Sequence, residues 1–273
     1  MWAGFARFAR NRMALFGAAV LLCLLLLVVF TPVIYPDDPF KLVGPALQPP
    51  GRRFLLGTDT LGRDVLSRVL AGASGVLKVA PLAMLLGVAG GTVIGLVSGY
   101  YRGFVDDALG RIVDAFLALP LIVIAVVALV ALGPSDQTLI IVIGVVFTPL
   151  VARTVRAAVL AERDLDYVSA AQLRGEKAPY IMFVEMLPNV TGPIIVEATV
   201  RLGYAIFAVA GLTFLGFGIQ PPSPDWSLQI SQNYALLAGG SYWWTVLFPA
   251  LAIATLVIGV YLIADGLTQV LER

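Results

Sequence analysis

The chain contains no histidine. That absence removes imidazole acid–base catalysis, paired-histidine zinc sites and Ser-His-Asp triads. Cysteine occurs once, as Cys23 inside an apolar run, so no disulfide framework or multi-thiolate metal site can be built within these 273 residues. Charge is scarce as well: Asp, Glu, Lys and Arg make up 13% of the chain and nearly cancel, to a net +1. So even a balance offers no basic surface for nucleic acid. There is no G-x-x-x-x-G-K-[ST] phosphate loop, so the chain lacks the usual means of holding ATP itself.

Apolar surface, by contrast, is abundant. At 59% hydrophobic residues and a mean hydropathy of +0.93, the chain is too apolar for an ordinary water-soluble domain and reads as an all-α polytopic membrane protein. A hydrocarbon core of ~30 Å needs about 20 helical residues. Runs of that kind predict six transmembrane helices in a single domain, 1–273, at about 13–35, 79–101, 115–135, 137–155, 191–214 and 243–264. Arg7, Arg10 and Arg12 precede the first run, which is longer than a signal-peptide core and has no small-residue cleavage site after it, so it is expected to be retained. The loop 36–78 is rich in Pro and Gly and carries LGTDTLGRDVLSRVLAG. There Asp59 or Thr60 is expected to cap a helix whose apolar positions Val65, Leu66, Val69, Leu70, Ala73, Val76 and Leu77 make an amphipathic segment at the membrane surface. Arg102 to Asp114 reads as a short charged turn, Gly133-Pro134 as the end of the third run, and Pro149 as a kink in the fourth.

Six crossings put both termini on one side. Arg7, Arg10, Arg12, Arg102, Arg111, Arg153, Arg156, Arg163, Arg174, Lys177 and Arg273 fall in one set of segments, against Lys41, Arg52, Arg53, Arg63, Arg68 and Lys78 in the other, all six in the long first loop or at its edge. The positive-inside rule then places the N- and C-termini and the loop 156–190 in the cytoplasm. Within the second run Gly87, Gly91, Gly95 and Gly99 line one face, where missing side chains admit a close neighbour, either in this chain or across a dimer seam. Glu197 and Arg201 interrupt the fifth run. Each ionised group at mid-bilayer costs roughly 2.5–3.5 kcal/mol, so they read as a mutually neutralising i, i+4 pair or as part of a translocation pathway. Tyr204, Phe207 and Phe217 either line a passage or pack, and Asp265 reads as interfacial.

A polar interruption in this apolar sequence is YVSAAQLRGEKAPYIMFVEMLPN, residues 167–189. Asp164 and Asp166 favour a helix N-terminus, Ala170 and Ala171 keep a face small, Gly175 marks a left-handed helix stop, and a second helix can run from Ala178 to Met186 before Pro188. With Ala170, Ala171, Gly175, Leu187 and Pro188 in register, the segment resembles the Glu-Ala-Ala loop of binding-protein-dependent ABC importer permeases. It departs from that pattern at Ser169, where the family usually has Glu, and at Glu185, often apolar there. Gly57-Thr58-Asp59 followed by Gly62-Arg63-Asp64 is similar to a signature of the C-type permeases of the dipeptide, oligopeptide and nickel importers. So are the stretch from Ala205 to Trp226 and the ending Ala264-Asp265-Gly266-Leu267.

The resemblance implies a type I ABC importer permease fold, in which Asp166, Tyr167, Ser169, Ala170, Ala171, Arg174 and Gly175 form the loop that docks into an ATPase groove. It further implies a heterodimer with a related second permease, two cytoplasmic ABC ATPase subunits that bind ATP and Mg²⁺, an extracytoplasmic solute-binding protein, and surrounding membrane lipid. This chain itself would hold no cofactor and no metal and would not be an enzyme. The implied cargo is a short peptide, with a nickel complex or glutathione as alternatives within the same family. An ion-coupled secondary transporter is the reading from another class; it would need inverted repeats and its own ion site, and neither is found in the sequence. A membrane-embedded hydrolase would need a Ser–Lys or paired-Asp site, and none is located.

Overall fold

The computed structural model describes residues 11–35 and 38–271, and among them the regular elements are helical, with two isolated β-bridges in the first loop. Arg7, Arg10 and Arg273 of the orientation argument lie outside the described residues. Helix α1 (Arg12–Ile34) starts where the Asn11 side chain accepts from the amides of Met13 and Ala14. Most of its leucines are exposed, as suits a helix facing lipid. It packs along the last helix, α11 (Trp244–Leu271), where Gly17 lies against Gly259 and Leu262, and Asn11 donates to Gln269 Oε1 at 2.9 Å.

Helices α2 (Val65–Ala71), α3 (Ala73–Tyr101), α4 (Gly103–Leu117), α5 (Leu121–Leu132) and α6 (Asp136–Arg163) follow. The pair α3/α6 is the most extensively packed. Gly87, Gly91, Gly95 and Gly99 all face α6: a Cβ on Gly91 would sit 2.5 Å from Val151 Cβ, one on Gly95 2.6 Å from Val155 Cβ, and one on Gly99 2.6 Å from Val159 Cγ1. The stripe therefore joins two helices of one chain. It lets valine side chains of α6 rest directly on the α3 backbone, the small-residue route to packing where no hydrophobic effect separates helix from lipid.

Four expectations change. Residues 103–117 form a helix rather than a turn, because Asp106, Asp107 and Asp114 fall on one face while Phe104, Ile112 and Phe116 fall on the other. The run 115–135 is not one rod: the chain breaks at 118–120, where Pro120 has no amide to donate, and α4 and α5 meet at 85°. Helix α6 continues past the expected end at 155 to Arg163, since Arg153, Arg156 and Arg163 meet acids at Asp114, Asp106 and Asp164. The segment 65–77 does not lie free on a membrane surface; α2 buries Val65, Ser67 and Arg68 and passes through Gly72 into α3.

Beyond α6 come α7 (Asp166–Leu173), a short α8 (Ala178–Tyr180) that widens into a π-turn over Ile181–Met186, α9 (Thr191–Phe214), α10 (Trp226–Asn233) and α11. Among the described residues, five spans are long and apolar enough to cross a bilayer: Arg12–Thr31, Val65–Tyr101, Asp136–Arg163, Thr191–Phe214 and Trp244–Gln269. The bent pair α4/α5 makes a sixth when counted as one broken crossing. One core joins α3, α5, α6, α9 and α11; a second gathers the far ends of α3 and α6 with α7 and the π-turn.

Candidate functional site

The segment 164–190 is built onto that second core. Asp164, at the end of α6, accepts from Arg102 Nη2 at 2.6 Å, and this bond, with Arg163 beside it, holds its carboxyl below the usual carboxylate range. Val168 and Ala171, one turn apart on α7, are fully buried against Val155, Val159, Ile181 and Met186. Tyr167 donates to Glu162 at 2.8 Å, and partial burial together with that acidic partner raises its phenol. At the other end of α7 Gly175 adopts φ +76°, the Glu176 amide reaches the Ala171 carbonyl at 3.2 Å and the Gly175 amide reaches that of Gln172 at 2.9 Å. These two bonds are the Schellman closure that a left-handed glycine permits.

Asp166, Ser169, Ala170, Gln172, Leu173 and Arg174 point outward; Leu173, an apolar residue at the tip, is 89% exposed. The two alanines therefore part company. Neighbours on a helix lie about 100° apart, so Ala170 faces out while Ala171 belongs to the chain's own core. Glu185, the departure from the family pattern, accepts from Arg174 Nη2 at 2.8 Å and ties the π-turn back to α7. The Leu187 amide bonds to the Met182 carbonyl, five residues back, so the expected second helix is wider than an α-helix; Ile181, Met182 and Met186 all reach the buried side.

The first loop is a folded cap at the opposite end. Asp59 does not cap a helix: its Oδ1 accepts from the amides of Leu61 and Arg63, and its Oδ2 from Arg63 Nε at 2.6 Å, with Arg68 Nε 3.6 Å away. The cap of α2 is Asp64, which accepts from the Ser67 amide and from the Tyr35 hydroxyl. Thr58 Oγ1 donates to the Pro45 carbonyl and accepts from the Gln48 amide, while Gly57 and Gly62 turn at φ +80° and +77°. Indole and amide donors from distant sequence clamp the cap: Trp244 to the Thr58 carbonyl, Trp226 to Val69, Gln229 to Arg68. The Gly57–Asp64 signature is thus one hydrogen-bonded turn. Arg68, 1% exposed, is a member that its helical spacing in the sequence did not single out.

Asp225 caps α10 through the amides of Ser227 and Leu228. Burial pushes its carboxyl up to about 6, against the opposing pull of those two amides. A folded-state value raised from the usual 3.8 means that this site's contribution to stability is complete below pH 4 and is lost as pH rises through 6. Asp225→Asn keeps the cap and removes the charge. It should raise the thermal denaturation midpoint above pH 6, by a free energy on the order of 3 kcal/mol, and flatten the profile between pH 4 and 7. An unchanged pH profile would reject this assignment.

Within the bundle, Arg201 Nε lies 2.6 Å from Glu197 Oε1, with both side chains mostly buried. The guanidinium also sits 5.3 Å from the Tyr204 ring, which meets Tyr261 edge-on at 6.1 Å. Phe207 is exposed and Phe217 packs into the main core; Asp265 accepts from Gln269, the residue that holds Asn11. Glu197→Gln alone should destabilise the chain by roughly 3 kcal/mol, because it strands Arg201, whereas neutralising both should recover part of the loss. Equal losses of assembled protein in the single and double variants would show that the charges act separately. A second pair escaped the sequence entirely: Arg156 holds both oxygens of Asp106 at 2.5 and 2.6 Å, across 50 residues that no periodicity connects.

The fold and these sites define a multi-pass helical membrane protein with a structured polar segment at one end and a folded cap at the other. Residues 91–273 match the family described as binding-protein-dependent transport system inner membrane component, and residues 1–50 match the N-terminal TM domain of oligopeptide transport permease C. The dipeptide transport system permease protein DppC of Escherichia coli K12 is 39% identical over 272 residues, 97% of this chain and 90% of that one. The same-named protein of Alkalihalophilus pseudofirmus is 36% identical over 98% and 88%, and the di/tripeptide permease DppC of Pseudomonas aeruginosa 37% over 97% and 89%. A chain of the MetNI methionine ABC transporter, solved in inward-facing conformations, superposes with a TM-score of 0.61 at 18% identity, over 76% of this chain and 97% of that one, a likeness of fold. The chain belongs to the binding-protein-dependent transport system inner membrane component family, as an ABC importer permease subunit of the dipeptide-transport branch. It is a multi-pass protein of the bacterial inner membrane.

Proposed function

We propose that this chain is half of the membrane pathway of an ATP-driven importer of short peptides. The observation that carries the reading is identity of 36–39%, over nearly the whole chain, to proteins named as dipeptide and di/tripeptide permeases. In this reading a related permease completes the pathway, an extracytoplasmic binding protein delivers peptide to the capped end, and two ATPase subunits bind ATP and Mg²⁺ at the other. Both termini and the segment 164–190 lie in the cytoplasm, in keeping with the Lys/Arg distribution.

Segment 164–190 acts as the coupling element. Its buried face of Val168 and Ala171 anchors it to α3 and α6, so a push on its outer face, at Asp166, Ser169, Ala170, Leu173 and Arg174, moves those helices as a unit. The Glu197–Arg201 pair keeps α9 neutral inside the bilayer and stands where a zwitterionic cargo would compete for each charge. The experiment is uptake of labelled dialanine by proteoliposomes holding both permeases and the ATPases, with binding protein outside. ATP-dependent uptake is expected; uptake driven by an ion gradient without ATP would overturn the reading.

A further inference from the structure

Helix α4 is unlike the other long helices. None of its residues is buried, and it is held to α6 by ion pairs: Arg156 to Asp106, and more loosely Arg153 to Asp114 at 3.7 Å. Both ends are sharp changes of chain direction. Arg102 and Gly103 have φ of +54° and +55°, and the far end breaks at 85°. Beneath it lies a cavity of about 420 Å³, within the ~300–1,000 Å³ usual for small-ligand sites.

The walls of that cavity carry Asp106, Asp107, Asp114, Arg111, Arg153 and Arg156, and its apolar floor comes from α3 and α6. Three acids face three guanidinium groups, so a ligand of one sign meets as much repulsion as attraction. Asp106 and Arg156 are spent on each other in a two-bond pair, and Arg153 and Asp114 touch only loosely, both about two-thirds exposed. Asp107 and Arg111, one turn apart on the same helix, form no ion pair among the described residues. A spare carboxylate and a spare guanidinium thus line one cleft without using each other.

We propose that the cleft between α4 and α6 binds a zwitterionic ligand, its ammonium held by Asp107 and its anionic group by Arg111 with Arg153. Two sources carry that chemistry: the termini of a short peptide, and the headgroup of phosphatidylethanolamine. A guanidinium fork suits carboxylate and phosphate alike, and an ammonium supplies N–H donors that a choline headgroup lacks. The cleft lies at the same end as segment 164–190, because Arg102, which opens α4, is bonded to Asp164. A ligand there would brace α4 against α6 beside the coupling element. The peptide source rests on the transport reading; the site itself does not.

The test uses the complete complex in nanodiscs without binding protein. Equilibrium binding of labelled trialanine is measured in phosphatidylcholine, and hydrogen exchange of α4 is compared between phosphatidylcholine and phosphatidylethanolamine discs. Asp107 and Arg111 are exposed, so Asp107→Asn and Arg111→Gln leave the packing alone. Each should weaken ligand binding roughly tenfold or more, the loss of one charge-assisted hydrogen bond. Trialanine binding that both variants weaken, and that N-acetyl-trialanine amide fails to displace, identifies a peptide. Protection of α4 by phosphatidylethanolamine that both variants abolish identifies the lipid. Neither response, or a response that both variants leave intact, overturns the site. Absent uptake alongside intact binding would count against the transport reading alone.

Discussion

Ala170→Trp is expected to leave the permease inserted and paired with its partner, yet to reduce binding-protein-stimulated ATP hydrolysis by roughly tenfold or more. Ala170 is exposed on α7, so an indole there projects away from the chain's own core. Its main steric consequence is expected at the surface that α7 enters. Gly175→Val should act in the same assay by a different route. There is open space around the Gly175 Cα, but φ +76° is disfavoured for a β-branched residue by roughly 1–2 kcal/mol, so the Schellman closure would loosen and α7 would lose its angle to the π-turn. Ala171→Trp is the contrasting control. With Ala171 fully buried among Val159, Ile181 and Met186, an indole there should damage the permease itself and lower its recovery from membranes. Stimulated hydrolysis and membrane recovery, measured together for the three variants, separate a docking defect from a folding defect.

The second large effect is expected at the α3/α6 seam. Gly91→Val places a Cβ 2.5 Å from Val151 Cβ and 2.8 Å from the Thr148 carbonyl oxygen, and the added methyls have no exit because the stripe is closed along its length. Overpacking of this kind costs ~1–3 kcal/mol where the neighbours can shift. Here a backbone carbonyl and a β-branched residue must both move, so the chain should fail to accumulate. Gly110→Val, on the exposed helix α4 with nothing within reach of its Cβ, should accumulate as wild type. Recovery of both variants from membranes, by quantitative immunoblot, checks the contrast; equal recovery would show that the seam tolerates separation.

What the sequence made legible follows the range of the interactions involved. Hydropathy is local, so the long apolar helices could be read from runs of uncharged residues, and the left-handed stop at Gly175 from a single glycine in a helical pattern. The bend between α4 and α5 was hidden because amphipathic and apolar helices abut at 118–120, and a window averaged across them shows one run. The four glycines announced a close approach, but their partner is α6, some 60 residues on, and spacing alone cannot tell an intrachain neighbour from a dimer. In the cap, the motif Gly57–Asp64 was visible, whereas Trp226, Gln229 and Trp244 gain their roles only through contacts across more than 150 residues of chain. Ala171 was placed on the wrong face for a simpler reason: two adjacent alanines look alike until a core chooses between them.

Cross-linking at the tip of α7 tests the coupling role most directly. Cys23, the single cysteine, is replaced by Ser, and a new cysteine is placed at Leu173, the most exposed apolar residue of the segment, or at Ala171 as the buried control. In the complete complex a short bismaleimide linking the Leu173→Cys permease to surface cysteines on an ATPase subunit should give an adduct of their summed mass, and ATP should change its yield. Ala171→Cys should give none. The account is contradicted if Leu173→Cys stays unlinked in a complex that hydrolyses ATP, or if it reacts with an impermeant maleimide applied only to the binding-protein side.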